Sequence, residues 1–498
     1  MAVDYDLIVI GVSAEGISAA VAAARLNARV ALVEQPFKGH LGGSEAIYSR
    51  ALTYTARLSK QLSHAAQFGI YPQTAKLEER GEAIERVPKT SPHLIRLAEV
   101  QSWAKEVASI LAEQDSLATL ASLGVDVISG AGEFCRLPNQ AFIVNHRRLR
   151  SRAYLIATGS RPVIPDIEGL QEIDYLTTDD IWQKDKLESL PYSLVIIGGS
   201  TLGLELAQSL GRLGKEIALV LEDSEILPRE EREASMLIQA QLEAEGVRIL
   251  TASPVTQLRR IEGKKWVQAG NCAIEADEIV LAGRRKPNVE GLNLEGVGVQ
   301  FGQRGIQLNQ KLQTTNPRIY ACGDVAGGYS LAHIAQYEAG IALKNALFLP
   351  LFKVDYRSIP WAIFTEPQLG RVGMTEAQAR RRYGQDVLVA RQYFKRIAQA
   401  QVVGETTGFC KLVVRGNGEI LGAHIVGLEA GELIGAIALA MKNNLKVRAI
   451  ANLFQPSPTL SEITHQTVIE WQRQGLNRNK TLRNFLESLF HWQRNWYS

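Results

Sequence analysis

Short apolar runs alternate with stretches of helical spacing through the first half of the chain. Asp6 to Ile10 is a short apolar run, and a glycine-containing turn follows it. An Ala-rich stretch from Ala14 to Asn27 then has helical spacing, and a second apolar run covers Arg29 to Val33. This order predicts a β-α-β unit. It recurs at Leu194 to Ile197, Leu202 to Leu213 and Glu216 to Leu221, so two nucleotide-binding halves are expected. Between them Thr74 to Thr90 is polar and mixed in charge, the pattern of a surface insertion. A long helical pattern follows around Leu94 to Leu123. From Leu351 onward the pattern changes to strands (Cys410 to Val414, Glu419 to Val426) and a helix from Ala430 to Asn443, which predicts a separate α+β domain.

The chain has 498 residues, enough for two to four domains at roughly 150 each. Hydrophobic residues make up 46% and charged residues 21%, the balance of an ordinary globular protein and not of a disordered or membrane-spanning one. The 55 Lys and Arg against 52 Asp and Glu leave a net charge of +3, too little to imply nucleic acid. No apolar stretch approaches the roughly 18 residues of a membrane helix. The N-terminus has no basic region ahead of its first strand, so a cytoplasmic location is expected. Four cysteines (Cys135, Cys272, Cys322, Cys410) lie far apart, without a CxxC pair or metal-ligand spacing, and no metal is expected.

A dinucleotide site needs a tight glycine turn, close approach of backbone to pyrophosphate, a helix N-terminus aimed at the phosphates and a carboxylate for the ribose. The first unit supplies Gly11, Gly16 and Glu34, with Ser13 in the middle position. Its Cβ hinders close phosphate approach, although its hydroxyl is a hydrogen-bond donor. The second unit supplies Gly198 and Gly203, again with serine, Ser200, in the middle. Its carboxylate is displaced by one residue, to Glu222, with Asp223 next. Two acids there repel a 2′-phosphate, which favours NADH over NADPH.

With these units the chain closely resembles the flavin-dependent pyridine nucleotide-disulfide oxidoreductases, the family of dihydrolipoyl dehydrogenase, glutathione reductase and mercuric reductase. Ala157-Thr158-Gly159 is similar to the family's first ATG motif and Ala282 to Asn288 to its second. Ile319 to Asp324, with Leu331-Ala332-His333, is similar to its second flavin fingerprint. The resemblance implies FAD, with Asp324 on the ribityl chain and Ala332 and His333 near the isoalloxazine. Phe364 to Pro367, Leu421 to Gly427 and Ala430 to Ile434 resemble the C-terminal interface domain, which implies a homodimer. The fold expected is α/β, with two Rossmann-like nucleotide-binding domains for FAD and NAD and a C-terminal α+β dimerisation domain. The boundaries are 1–165 with 285–350 for FAD, 166–284 for the nicotinamide nucleotide, 351–475 for dimerisation and 476–498 for a tail.

The sequence departs from the family where the family does its sulfur chemistry. Its redox-active CxxxxC follows a Gly-Gly and ends in Ser-Lys-Ala-Leu. Here Gly42-Gly43 runs almost directly into Ser49-Arg50-Ala51-Leu52, four residues shorter and without cysteine. A thiolate relays electrons to a disulfide by covalent exchange, so reduction by that route is excluded. The family's His-Pro-Thr-x-x-Glu acid/base motif is Ser457-Pro458-Thr459-Leu460-Ser461-Glu462, and serine does not titrate near neutral pH. His465 is a substitute candidate or a solvated helix residue. By resemblance Arg50 stands where a lysine pairs with Glu205 beside flavin N5, so Arg50 and Glu205 are the catalytic candidates, the alternative being a plain structural ion pair. Arg284 replaces the glycine of the second ATG motif, where it either narrows the nicotinamide route or clamps a phosphate. Cys322 is either a flavin-proximal thiol or a small buried hydrophobe.

At the C-terminus Leu482, Phe485, Leu486, Leu489 and Phe490 recur at helical spacing, with Trp492, Trp496 and Tyr497 beyond. Upstream stand Arg473, Arg478, Lys480 and Arg483. This amphipathic pattern fits an interfacial membrane helix, or a helix packed on the dimer body. The function expected is an FAD-dependent NAD(P)H oxidoreductase of diaphorase or quinone-reductase type, passing electrons to a non-disulfide acceptor: a quinone, oxygen or a protein partner. The alternatives are a catalytically retired flavoprotein that senses nucleotide, and a thiol reductase working through Cys322.

Overall fold

A computed structural model describes residues 3–37, 45–71, 95–113, 116–183, 186–478 and 480–496. The segment Thr74 to Thr90 and the glycines Gly42 and Gly43 lie outside the described residues. The chain forms two compact units, Met1–Ser224 with Glu245–Val354, and Glu225–Ala244 with Asp355–Ser498.

The first unit holds two parallel five-stranded sheets of the same design. In one the order is Ile319–Ala321, Ser151–Ile156, Tyr5–Ile10, Val30–Glu34, Val125–Ser129. In the other it is Arg248–Leu250, Glu216–Val220, Ser193–Ile197, Glu278–Leu281, Leu176–Thr177. In each, the strand that precedes the glycine turn is central, and its neighbours leave it in opposite directions. That makes its C-terminal end the topological switch point where ligands bind in such sheets.

Parallel strands are covered on both faces, which explains the unbroken apolar runs. Leu7 and Val9 face the small side chains Ala19, Ala20 and Ala23 of the Ala14–Arg25 helix and Ala339 and Ala342 of the Ala332–Leu347 helix. Ile8 and Ile10 face Phe134, Phe142 and Tyr154 on the other side. Each fully buried Leu, Ile or Val contributes about 1.5–3 kcal/mol. The alanines let the two helices pack closely over the sheet.

The helical pattern around Leu94 to Leu123 resolves into two helices, Leu97–Ala112 and Leu117–Ser122. Ser116 caps the second, accepting a hydrogen bond from the Thr119 amide at 3.2 Å. A polar cap inside an apolar periodicity restarts the helix.

The second unit is built on an antiparallel sheet ordered Pro360–Ile363, Gln368–Gly373, Ile420–Gly427, Phe409–Arg415, Val387–Tyr393. One face is apolar. Val372, Ala390, Cys410, Leu412, Ala423 and Ile425 pack there with residues of the Ala430–Lys442 and Glu462–Arg478 helices. The other face carries a rank of basic residues in register across four strands: Arg371 opposite His424, His424 opposite Lys411, Lys411 opposite Arg391. Acidic side chains at the starts of the Arg232–Ala244 and Glu376–Tyr383 helices meet them. Lys411 Nζ, almost wholly buried, lies 2.9 Å from Glu231 and 2.8 Å from Glu376. Arg371 lies 3.1 Å from Glu230. Beyond this body the Lys480–Trp496 helix carries exposed Phe485, Phe490, Trp492 and Trp496.

Candidate functional site

The two glycine turns are built for close backbone approach. Gly11 has φ +112°, and a Cβ on it would stand 2.2 Å from the Ala157 carbonyl oxygen. Only glycine takes that conformation without strain. A Cβ on Gly16 would stand 2.5 Å from the Gly11 carbonyl oxygen. In the second sheet Gly198 has φ +116°, and a Cβ on Gly203 would lie 2.8 Å from the Ala282 Cβ.

Both serines that replace the middle glycine cap their helices. Ser13 Oγ accepts from the Gly16 amide at 3.3 Å, and Ser200 Oγ accepts from the Gly203 amide at 3.1 Å. Each therefore uses one N-terminal amide of its helix as an N-cap. Glu34 ends its strand and accepts a hydrogen bond from Ser129 Oγ at 2.6 Å. Glu222 and Asp223 are exposed, just beyond the Glu216–Val220 strand.

The two ATG motifs are laced together. Thr158 Oγ1 donates to the Asn288 carbonyl at 2.7 Å, Asn288 Nδ2 donates to the Thr158 carbonyl at 2.9 Å, and the Asn288 amide donates to the Gly159 carbonyl at 3.0 Å. The strands that continue from them, Ser160–Pro162 and Arg285–Pro287, pair antiparallel. This brings together a polar cluster that sequence reasoning missed. Arg285 forks onto Asp179 at 2.6 and 3.1 Å, donates through Nε to Ser160 Oγ at 2.9 Å and approaches Glu45 at 3.7 Å. Ser160 Oγ in turn donates to Asp324 at 2.5 Å. A bidentate guanidinium–carboxylate pair fixes both partners. Arg285, next to the residue singled out in the second ATG motif, is the cation engaged here, whereas Arg284 is exposed.

Two further carboxylates bracket the fingerprint glycine. Glu338 accepts the Gly323 amide at 2.8 Å, and Glu15 packs so closely that a Cβ on Gly323 would stand 2.4 Å from its carboxylate oxygen. Burial raises the Glu15 carboxyl to about 7; a hydrogen bond from Ser13 lowers it, and Asp324 and Glu338 add repulsion. The same setting pushes the wholly buried Cys322 thiol well above its ordinary value, through burial first and then Glu15 and Glu338. A glutamate inside an Ala-rich amphipathic stretch was the available signal for Glu338.

The Glu45–Ser63 helix packs against the Thr201–Arg212 helix. Buried Glu205 accepts a hydrogen bond from Ser49 Oγ at 2.6 Å, and Arg50, the next residue, is exposed. Ser49, passed over as a motif letter, is thus a direct partner of Glu205. Ala332 and His333 open the Ala332–Leu347 helix and are exposed, so His333 is not a core histidine. His465 lies on the Glu462–Arg478 helix with Nε2 3.1 Å from the Ala451 carbonyl oxygen.

The pyridine nucleotide-disulphide oxidoreductase family matches residues 5–339, and the dimerisation domain of that family matches residues 359–468. The chain belongs to this family. A mercuric reductase of Staphylococcus aureus is 33% identical over 466 residues, 92% of this chain and 81% of that protein. A dihydrolipoyl dehydrogenase of Bacillus subtilis (strain 168) is 30% identical over 479 residues, 93% of this chain and 98% of that protein. Among solved structures, the HOCl-induced flavoprotein disulfide reductase RclA of Escherichia coli superposes with a TM-score of 0.76 at 26% identity, covering 93% of this chain and 99% of that one. The expected fold, an α/β body with a C-terminal dimerisation domain, is the one found. By family the chain is an FAD-dependent pyridine nucleotide oxidoreductase that forms a homodimer.

The described residues fit FAD. The cradle at Gly11 closes if a Cβ is added, Glu34 stands at the end of the second strand, and Asp324 is held by Ser160 at the switch point. FAD supplies two-electron transfer from the nicotinamide when bound. Among the described residues no group of three or more His, Cys, Asp or Glu is placed to hold a metal ion. Among them, too, no helix is long and apolar enough to cross a membrane.

Proposed function

We propose that this chain uses FAD to carry electrons from NADH to a non-disulfide acceptor, foremost a quinone-type small molecule, with oxygen or a protein partner as the other candidates. The observation that carries this reading is the absence of any cysteine before Cys135, which removes the thiol pair ahead of Arg50. Cys322 does not replace it. It is wholly buried and its thiol is held protonated, whereas the thiolate is the species that attacks a disulfide.

In this reading Gly11, Ser13, Gly16 and Glu34 bind the adenosine and phosphate end of FAD, with Gly42, Gly43, Thr158 and Gly159 along it. Asp324 fixes the ribityl chain, and Ala332 and His333 border the ring. Gly198, Ser200, Gly203 and Glu222 bind the nicotinamide nucleotide, with Arg284 at their edge. The acidic pair Glu222 and Asp223 supports NADH, because a 2′-phosphate would sit against two negative charges. Arg50 and Glu205 tune the ring from the Ser49 side: a permanent guanidinium stabilises negative charge developing there, and Glu205 is held in place by Ser49.

The Lys480–Trp496 helix supports peripheral contact with a membrane, where lipid-soluble quinones reside. Its exposed Phe485, Phe490, Trp492 and Trp496 are the residue types that settle at a bilayer interface, and Arg483 and Arg494 suit anionic headgroups. Co-sedimentation with anionic vesicles before and after truncation at residue 479 tests it.

A second reading, a retired flavoprotein that senses nucleotide, is favoured by one observation. Ser13 and Ser200 both occupy helix N-terminal amides that would otherwise face phosphate. Steady-state turnover separates the two readings. The reductase turns over NADH with a quinone; the sensor binds nucleotide without turnover.

A further inference from the structure

We propose that the Glu45 carboxyl is the proton donor to the acceptor, delivering a proton to the carbonyl oxygen of a quinone as that acceptor takes its electron pair. The inference deepens the function proposed above and rests on it.

Glu45 opens the Glu45–Ser63 helix, two residues after Gly42-Gly43 in sequence, within the segment where the resemblance places the family's CxxxxC motif. It is one helical turn before Ser49, on the same face, and Ser49 holds Glu205 at 2.6 Å. Through Arg285 it joins the chain of contacts that ends at Asp324: Arg285 lies 3.7 Å from Glu45 and 2.9 Å from Ser160 Oγ, which is 2.5 Å from Asp324. In the reading above, which puts Asp324 on the ribityl chain, Glu45 is therefore at the flavin end of the site.

The charged groups that face Glu45 are Arg285, Asp179 and Asp324. Burial raises its carboxyl first; Arg285 lowers it, and Asp179 and Asp324 raise it again, for a result of about 7. A carboxyl that exchanges its proton near neutrality is matched to general acid work. Arg50 is not: a guanidinium keeps its protons at any working pH. Ser457, in the place of the family's histidine, does not titrate either.

The net reaction is NADH + H⁺ + quinone → NAD⁺ + quinol. Two electrons and one hydrogen nucleus originate in NADH. The second proton leaves the Glu45 O–H bond and forms an O–H bond on the acceptor. The Glu45 carboxylate then faces Arg285 until water returns a proton.

The test uses flavin-loaded wild type, Glu45→Gln and Glu45→Asp in stopped flow. NADH is added anaerobically first, and a water-soluble quinone second, from pH 5.5 to 9. Wild-type reoxidation by quinone is expected to fall tenfold per pH unit above about 7, where the acid is lost. Glu45→Gln should bind FAD and be bleached by NADH as the wild type is, yet be reoxidised about 100-fold more slowly with no pH limb. Glu45→Asp should restore the limb. Infrared difference spectra of the oxidised proteins between pH 6 and pH 8 should show a protonated-carboxyl band in the wild type that Glu45→Gln lacks. If Glu45→Gln proves unable to hold FAD, the Glu45→Asp profile decides, since Glu15 also titrates near 7: a limb displaced from its wild-type position supports the assignment, and a limb left at the wild-type position overturns it. Wild-type reoxidation that is flat in pH, or a Glu45→Gln enzyme with the wild-type rate and profile, overturns the assignment. Failure of NADH to bleach the wild type appears before quinone is added and overturns the function itself.

Discussion

Replacing Lys411 with methionine should destabilise the C-terminal unit by about 3–5 kcal/mol, because it strands a buried carboxylate. The Lys411 side chain is 2% exposed, and burial alone disfavours its ammonium form. Glu376 and Glu231 outweigh that penalty and raise its pKa, so it is charged at any ordinary pH. Methionine keeps the volume and removes the charge. Among the described residues, Glu231, 8% exposed, then retains the Glu376 amide at 2.5 Å and neutral His424 as near polar partners. Glu376 is 27% exposed and can be solvated instead. The cost should therefore be coupled to Glu231 and hardly to Glu376. In a double-mutant cycle with Glu231→Gln the interaction energy should be about 2–3 kcal/mol, and with Glu376→Gln below about 1 kcal/mol. Two compact units make a single global transition unsafe to assume. Native-state hydrogen exchange in the Phe409–Arg415 and Ile420–Gly427 strands is the appropriate assay. At 1.4 kcal/mol per decade the expected loss is two to four decades of protection. A loss below tenfold, or equal coupling to both glutamates, would refute the reasoning.

Other outcomes follow from the same structure. His424 is buried with Nδ1 unpartnered, and burial, then Arg371 and Lys411, lower its pKa to about 3. The unfolded chain takes up that proton near 6.5 and the folded one does not. Stability should therefore fall as pH drops, by about 2.5 kcal/mol from pH 6 to pH 4, and His424→Gln should remove that part of the acid sensitivity in urea titrations. Gly11→Ala forces an L side chain to φ +112° with its Cβ 2.2 Å from the Ala157 oxygen, so the purified variant should carry less than a tenth of the wild-type flavin absorbance. Cys322→Ala should leave NADH-to-quinone turnover within about twofold, since a thiol held protonated takes no part in electron transfer.

The nucleotide halves were legible because each rests on local rules: a glycine whose φ is positive, a capped helix and an apolar strand buried on both faces. The Tyr5–Ile10 strand, the Ala14–Arg25 helix and their counterparts at Ser193–Ile197 and Thr201–Arg212 appear within a few residues of the periodicity. The break at Ser116 was visible as a cap signal, but an apolar repeat running through it concealed the stop. The Arg285, Asp179, Ser160 and Asp324 cluster was not legible, because four distant segments meet only when the two ATG strands pair. The basic rank at Arg371, His424, Lys411 and Arg391 was hidden for a related reason. Register across four strands creates it, and each residue alone looks like a solvated charge. Glu45 carries no motif at all. Its character comes from burial beside Arg285, which only the folded chain supplies.

The central claim is direct electron transfer from the flavin without a sulfur relay. Anaerobic titration of the flavin-loaded protein with NADH, followed by quinone and separately by a small disulfide, tests it most directly. The account predicts that NADH bleaches the flavin, that quinone restores its colour, and that the disulfide does not. Recovery of the colour with the disulfide, lost on alkylating the cysteines, would contradict it.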